Sequence, residues 1–347
     1  LGVGATSLLV PVLLALLKPA YVATAHALPG PALGLVRVLI AFALLLPPTF
    51  CMGATLPVLG RFLVRRRERL GRALGLLYAV NTLGAVAGAF LAGYVLIPAL
   101  GLLPCVAIAV AGNLIAAAGA LLLDRRRDAD LAAAGDQPPD TAAPAAHPAP
   151  TGEPVLSPAA LAALFALTGF AAMGVELYWT RALHHFLGNT TYAFSAMLCT
   201  YLLGLAAGSW LGGRLADRLA HPARLLGWLQ VALAAVLLAT VPLIWNALPR
   251  LSESAWLAAP QQSWALYLAK RFLVAAAVMI VPTAISGMTF PLVNRLGIAA
   301  ADGVGRGVGR LYAANTCGAI AGSLAAGFAI LPLLGARRAL LATAALS

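Results

Sequence analysis

Charge is what this sequence has least of. Of its 347 residues, 11 are Asp or Glu and 23 are Lys or Arg, so charged residues make up 10% against about a quarter in an ordinary soluble domain. With 62% hydrophobic residues and a mean hydropathy of +0.92, the chain cannot cover a water-facing surface of its own. Cysteine is scarce as well. Cys51, Cys105, Cys199 and Cys317 each lie within an apolar run, with no C-x-x-C pair and no histidine at metal-ligand spacing. They read as small packing residues, with a disulfide or zinc role as the alternative. Nucleotide-binding G-x-x-x-x-G-K-[ST], zinc-binding H-E-x-x-H and nucleophile-bearing G-x-S-x-G are all missing, so no catalytic residue, cofactor or metal is assigned. His184 and His185 are sequence neighbours that do not share a helix face, and they too are assigned no metal.

What the chain has is long apolar runs. Leu102–Leu123, Ala159–Tyr178 and Thr190–Leu211 each carry at most one formal charge over about 20 residues, the length a helix needs to cross roughly 30 Å of hydrocarbon. Read against charged and proline-rich breaks, the sequence predicts helices over Gly2–Leu17, Leu33–Leu59, Ala73–Ile97, Leu102–Leu123, Ala159–Thr180, Thr190–Leu211, Leu225–Trp245, Leu266–Leu292, Gly307–Leu331 and from Ala339 onward. That is an all-α polytopic membrane protein of about ten spans. Its first partner is the lipid bilayer. The net charge of +12 raises nucleic acid as a partner, but the arginines sit in short clusters between apolar runs rather than on one basic face, so none is expected.

Residues 124–157 change composition to Asp, Pro, Ala and Thr, as in Gln137-Pro138-Pro139-Asp140 and His147-Pro148-Ala149-Pro150. The stretch reads as a disordered linker between a membrane half at 1–123 and another at 158–347. The halves repeat. Pro48-Thr49 and Gly53-x-Thr55-x-Pro57 recur as Pro282-Thr283 and Gly287-x-Thr289-x-Pro291. Leu77-Tyr78-Ala79-x-Asn81-Thr82-x-Gly84-Ala85 recurs as Leu311-Tyr312-Ala313-x-Asn315-Thr316-x-Gly318-Ala319, and Pro98 and Gly101 recur as Pro332 and Gly335, every pair 234 residues apart. At that offset the spans at 159–180 and 190–211 have no first-half counterpart. The expectation is a bundle of six plus six helices, with the first two outside this sequence and the last one incomplete.

Arginine placement gives the orientation. Arg61, Arg65, Arg66, Arg67, Arg69 and Arg72 share one loop, Arg125 to Arg127 follow the fourth span, Arg214, Arg218 and Arg224 flank another turn, and Arg295, Arg306 and Arg310 flank the last. Alternating spans put all four groups on one side, read as cytoplasmic together with the linker, in the inner (plasma) membrane of the cell. Lys18, Arg181, Arg250, Lys270, Arg271, Arg337 and Arg338 fall on the other side and are fewer.

Several residues stand out within the apolar background. Glu176 is an acid inside a span, followed by Trp179 and Arg181. A carboxylate there reads as a cation-binding or proton-coupling group, or as half of a structural ion pair with Arg181 or a histidine, or as hydrated near the outer interface. Tyr78 with Asn81, and Tyr312 with Asn315, place polar groups on adjacent turns of two repeat-related helices. They either line a central cavity or bond between helices. Gly204, Gly208 and Gly212 form a small-residue stripe, as do Gly84 with Gly88 and Gly318 with Gly322, and these read as close-packing faces. Pro48, Pro57, Pro282 and Pro291 are expected to kink their helices, and discontinuous helices at equivalent positions of two halves are a transporter device. Gly213-Arg214-Leu215-Ala216-Asp217-Arg218 follows the first glycine stripe in a short turn. It is either a solvated turn or a contact to neighbouring helix ends.

Taken together, Gly169-Phe170-x-x-x-Gly174-x-Glu176-x-x-Trp179-x-Arg181, the stretch from Gly204 to Arg218 and the doubled Gly-x-Thr-x-Pro and Leu-Tyr-Ala-x-Asn-Thr elements resemble the membrane portion of the fused major facilitator superfamily/spermidine synthase proteins of bacteria. The resemblance covers essentially the whole chain. It implies a major-facilitator-like arrangement of the two halves, and a structural role in the turn for Gly213, Arg214, Asp217 and Arg218. Ala220-His221-Pro222 replaces the trailing Gly-Arg-Arg of the family's loop motif. The resemblance also implies a soluble aminopropyltransferase-like domain following the membrane part, and with it a polyamine connection. The functional expectation is a transporter-like domain moving a small, cationic metabolite such as a polyamine, with a non-transporting anchor for that enzyme as the alternative.

Overall fold

The computed structural model describes residues 2–63, 70–133, 156–252, 263–298 and 304–346. All of its regular structure is helical, with no strand among the described residues. In chain order the helices are α1 (Gly2–Ala27), α2 (Gly30–Leu63), α3 (Leu70–Leu91), α4 (Leu102–Ala133), α5 (Pro158–Leu187), α6 (Thr191–Arg218), α7 (Pro222–Pro242), α8 (Trp264–Ile298), α9 (Val304–Ala325) and α10 (Leu331–Leu346). Short π-helical turns at Ala92–Leu96, Leu243–Ala247 and Ala326–Ile330 extend α3, α7 and α9 without a break. Nine continuous helical runs among the described residues are long and apolar enough to cross a membrane. Large apolar side chains stay open along them, Phe50, Leu16 and Ile115 among others, which suits an environment of lipid.

The helices outrun their apolar segments because polar residues close their ends. Ser157 accepts a hydrogen bond from the Ala160 N–H, with Pro158 at the first helical position, and so starts α5. Thr190 accepts from the Ala193 N–H and starts α6. Helix α4 runs on to Ala133, into the stretch that reads as a linker. Residues 134–155 of that linker lie outside the described residues, as do Arg65, Arg66, Arg67 and Arg69 and the side chains of Arg126 and Arg127.

The prolines do not interrupt their helices. Helix α8 stays α-helical through Pro282 and Pro291, and α2 does so through Pro48 and Pro57. The irregular backbone lies instead in the π turns and at three glycines of positive φ, of which Gly188 (φ 80°) ends α5. Gly101 (φ 81°) and Gly335 (φ 70°) take up the left-handed region, and at Gly335 the chain bends between the end of α9 and the body of α10. Some of these features keep the sequence offset: the π turns at Ala92–Leu96 and Ala326–Ile330, and Gly101 and Gly335, are 234 residues apart, while the π turn Leu243–Ala247 has plain α-helix at the equivalent place in α1. Two side-chain bonds keep the offset as well. Thr49 and Thr283 donate to Leu45 and Met279 carbonyls at 2.7 and 2.6 Å, and Thr82 and Thr316 donate to Tyr78 and Tyr312 carbonyls at 2.7 and 2.8 Å. The sequence offset thus recurs in part of the local backbone geometry.

Two compact units are present, Leu1–Thr55 with Leu96–Thr151 and Leu56–Val95 with Gly152–Ser347. In the first, α1 packs on α4, with Gly4 facing Val110 and Asn113. In the second, α6 lies between α8 and α3, and α5 lies against α9. Glycine makes these contacts close. A Cβ at Gly204, Gly208 or Gly212 would run into Thr283, Ala284 or Met288 of α8, and one at Gly287 would strike Leu205 of α6. Gly75 and Gly213 meet across α3 and α6, where Ser209 Oγ also donates to the Gly75 carbonyl at 3.1 Å. Gly318 and Gly322 of α9 seat on Ala166 and Phe170 of α5. Lipid gives helices no hydrophobic reason to associate, so backbone contact and interhelical hydrogen bonds must hold them.

Replacing Gly208 with valine should cost about 1–3 kcal/mol through forced separation of α6 and α8. Gly227→Ala in α7, where a Cβ meets nothing within 4 Å, should be neutral. Unfolding titrations of the two variants in mild detergent check the contrast.

Candidate functional site

The larger unit has two structurally different ends and a cavity. At one end, the C-termini of α6 and α8 meet the N-terminus of α3. Asp217 accepts hydrogen bonds from the Gly71 and Arg72 N–H groups at 3.1 and 2.7 Å, while Arg295 Nη1 donates to its Oδ1 at 2.7 Å. A carboxylate is suited to this place because the first N–H groups of α3 have no partner within their own helix and point outward at the positive end of the helix dipole. Gly71 is required there: a Cβ on it would stand 2.8 Å from both Ala216 Cβ and Asp217 Oδ1. Gly213 admits α3 from the other side. The Arg214 guanidinium lies 3.6 Å over the Trp210 ring, and Arg218 is exposed. Arg61 reaches the start of α9 at Gly305, so arginines from three of the four sequence clusters gather at this end.

At the other end, where α3 finishes and α6 and α8 begin, rings replace charges. Tyr94 stacks on Tyr192 at 5.7 Å and donates to its carbonyl at 2.6 Å; Tyr192 meets Trp264 edge-on at 4.9 Å; Trp264 stacks on Tyr267 at 5.1 Å. Arg271 caps the series with its guanidinium 3.8 Å over Tyr267. Amphipathic aromatic side chains with a basic cap are what a membrane–water boundary favours.

The cavity has a volume of about 280 Å³. Its wall draws on α3, α5, α6, α7, α8, α9 and α10. Phe290 is central to one side: Tyr78 stacks on it at 4.5 Å, Tyr312 meets it edge-on at 6.4 Å, and Phe165 lies 6.3 Å away. Tyr78 and Tyr312, equivalent in the repeat, therefore bracket one ring contributed by α8. Trp179 and Tyr201 add two more rings to the wall, and Asn315, Gln230, Ser286 and Thr289 add polar groups.

Of the residues singled out in the sequence, Tyr78, Trp179, Tyr312 and Asn315 share this cavity. Asn81 and Arg181 are exposed and stand apart from it. Glu176 is half-buried on α5, next to the wall residue Val175 and three residues before Trp179, and is not itself a wall residue. Among the described residues the ion pair formed is Arg295–Asp217, and neither Arg181 nor a histidine pairs with Glu176. Its carboxylate is thus left to water, to a cation or to a proton. Sequence reasoning missed Tyr201, Phe290 and Gln230. Gln230 did leave a signal, as the lone amide in the apolar run Leu225–Trp245. Phe290 sits inside the repeated Gly-x-Thr-x-Pro element, but Leu56 holds its place in the first copy, so the repeat itself does not pick it out.

Asp217→Ala should lower stability by about 2–3 kcal/mol, since it strands two N–H groups and a guanidinium. Arg295→Gln should cost less, because the α3 terminus stays capped. A double-mutant cycle read by detergent unfolding should show the two changes to be non-additive. Comparison of the chain with protein-family models, with curated proteins and with solved structures finds no match to any of them.

Proposed function

We propose that this chain is a transporter-like integral membrane domain of the major facilitator kind, in which the cavity holds a small metabolite and opens to the two sides of the membrane in turn. The observation that carries the reading is the cavity itself: its wall takes residues from seven helices, including the repeat-related pair Tyr78 and Tyr312, and it lies in a unit whose helices are fastened at one end by Asp217 and at the other by stacked rings. Ligand sites between the helices of a bundle, with mainly apolar walls and a few polar groups, are the common arrangement for small molecules. The gathering of arginines at the Asp217 end supports assigning that end to the cytoplasm, and the inner (plasma) membrane as the location. Glu176, half-buried and without an ion pair, is the candidate coupling group.

Alternating access can be tested before any substrate is known. In a variant with Cys51, Cys105, Cys199 and Cys317 replaced by alanine, Ser286→Cys on the cavity wall should react with a membrane-impermeant thiol reagent applied from either face of oriented vesicles. A thiol unreactive from both faces would contradict transport and favour an anchor. A pH gradient should shift the ratio of the two labelling rates, and Glu176→Gln should abolish that shift while leaving labelling itself intact.

A further inference from the structure

The electrostatics of the cavity narrow its ligand, on the reading that this cavity is the binding site. Among the described residues its wall holds no Lys, Arg, His, Asp or Glu. Aromatic surface is abundant instead, from Tyr78, Phe165, Trp179, Tyr201, Phe290 and Tyr312. The face of an aromatic ring is its negative side and attracts a cation placed over it. Phe290 is the centre of the set, with the rings of Tyr78, Phe165 and Tyr312 at 4.5, 6.3 and 6.4 Å from its own.

A second observation concerns Glu176. Ala172 and Met173 before it and Trp179 after it are wall residues, and positions three and four apart are neighbours on a helix surface. Glu176 therefore belongs to the face of α5 that borders the cavity, although the wall itself is made by its neighbours. It also interacts electrostatically with Tyr201, a wall residue of α6. The other acid among the described residues of the larger unit is Asp217, which Gly71, Arg72 and Arg295 already hold. Glu176 has no such ion pair. One uncompensated negative charge thus borders a cavity whose wall carries no positive one, and water does little to screen its field there.

The count of charges restricts the ligand. An anion would meet no positive side chain. A polyamine brings several charges where one carboxylate stands, and each further charge is desolvated without a counter-charge. A metal cation needs several oxygens drawn close around it, whereas this cavity measures about 280 Å³ and is walled largely by rings and aliphatic side chains. We propose that the cavity binds an organic cation with a single positive charge on a largely apolar body, held over the ring faces around Phe290 and balanced by the Glu176 carboxylate. This class departs from the polycationic metabolite expected from the family resemblance.

The test uses the full chain in lipid nanodiscs and four probes: benzyltrimethylammonium (one permanent positive charge), benzamide (neutral), benzoate (one negative charge) and spermidine (a polycation). Binding is read against empty nanodiscs as a concentration-dependent rise in thermal midpoint and confirmed by equilibrium dialysis. Benzyltrimethylammonium is expected to bind most tightly of the four. Glu176→Gln should weaken it by about 10-fold or more without weakening benzamide, a selectivity that a merely structural role would not produce, and Glu176→Asp should restore part of the loss. Phe290→Leu should weaken the cation about 3- to 10-fold. Filling the cavity with Ala319→Trp, or with Ser286→Phe if that variant does not fold, should abolish binding. Benzamide or spermidine binding as tightly as benzyltrimethylammonium, and lost in the filled cavity, would overturn the ligand class and leave the site standing. Cation binding indifferent to Glu176→Gln would overturn the counter-charge. Binding that survives in the filled variants would overturn the cavity as the site, and no binding by any probe up to its solubility limit would overturn the proposed class.

Discussion

Helix α6 can lie against α8 along one side and α3 along another because Gly204, Gly208, Gly212 and Gly213 carry no side chain where the neighbouring backbones come closest. The Asp217 cluster and one side of the cavity wall depend on this contact. In water, a helix with so few large side chains on its inner faces would have little to bury. In lipid the competition is with acyl chains, which are as apolar as leucine, and close backbone approach with its dispersion contacts is the remaining advantage. The same approach brings the end of α6 within hydrogen-bonding distance of the first residues of α3, so that Asp217 can reach Gly71 and Arg72. It also aligns Tyr201 of α6 with Phe290 of α8 on a shared cavity wall.

The unit can then be understood as three regions with different physical chemistry along the same helices. The Asp217 end is held by charge-assisted hydrogen bonds, which are directional and break over short displacements. The opposite end is held by stacked rings, which tolerate sliding because their energy is spread over area. Between them, the cavity wall of phenyl, phenol and indole groups carries polarity without formal charge. A bundle fastened differently at its two ends does not respond equally to a force applied at each.

Much of the fold was legible in the sequence because lipid imposes a crude and reliable code. Apolar runs of the length needed to cross a bilayer became helices, and the places where they stop, at Ser157, Thr190 and Pro222, carry ordinary start signals. The constant offset was also visible, and it reappears in the π turns at Ala92–Leu96 and Ala326–Ile330, which no periodicity argument could foresee. The cavity was legible only where a polar or aromatic residue recurred, at Tyr78, Tyr312 and Asn315, or where a tryptophan lay beside an acid, at Trp179. Phe290 and Tyr201 were not, for a physical reason. In a helix that is apolar all round, a ring facing a cavity and a ring facing lipid look alike. Asp217 was visible as a charged residue in a turn, but its partners on α3 lie 146 and 145 residues away in sequence, and only the fold supplies them.

The π turns have a consequence for how these helices are read. Each widens one turn of an α-helix, as if a residue had been added without lengthening the period, and so advances the angular phase of everything that follows by about 100°. In α9, Gly318 and Gly322 seat on α5, and the turn Ala326–Ile330 and α10 beyond it still touch α5. A helical wheel drawn straight through from Val304 would assign Leu331 and its successors to the wrong side. The turn lets α9 present one stripe to α5 below it and a different stripe above, as far as the bend at Gly335, a change of address achieved without giving up the helical backbone hydrogen bonding that lipid demands.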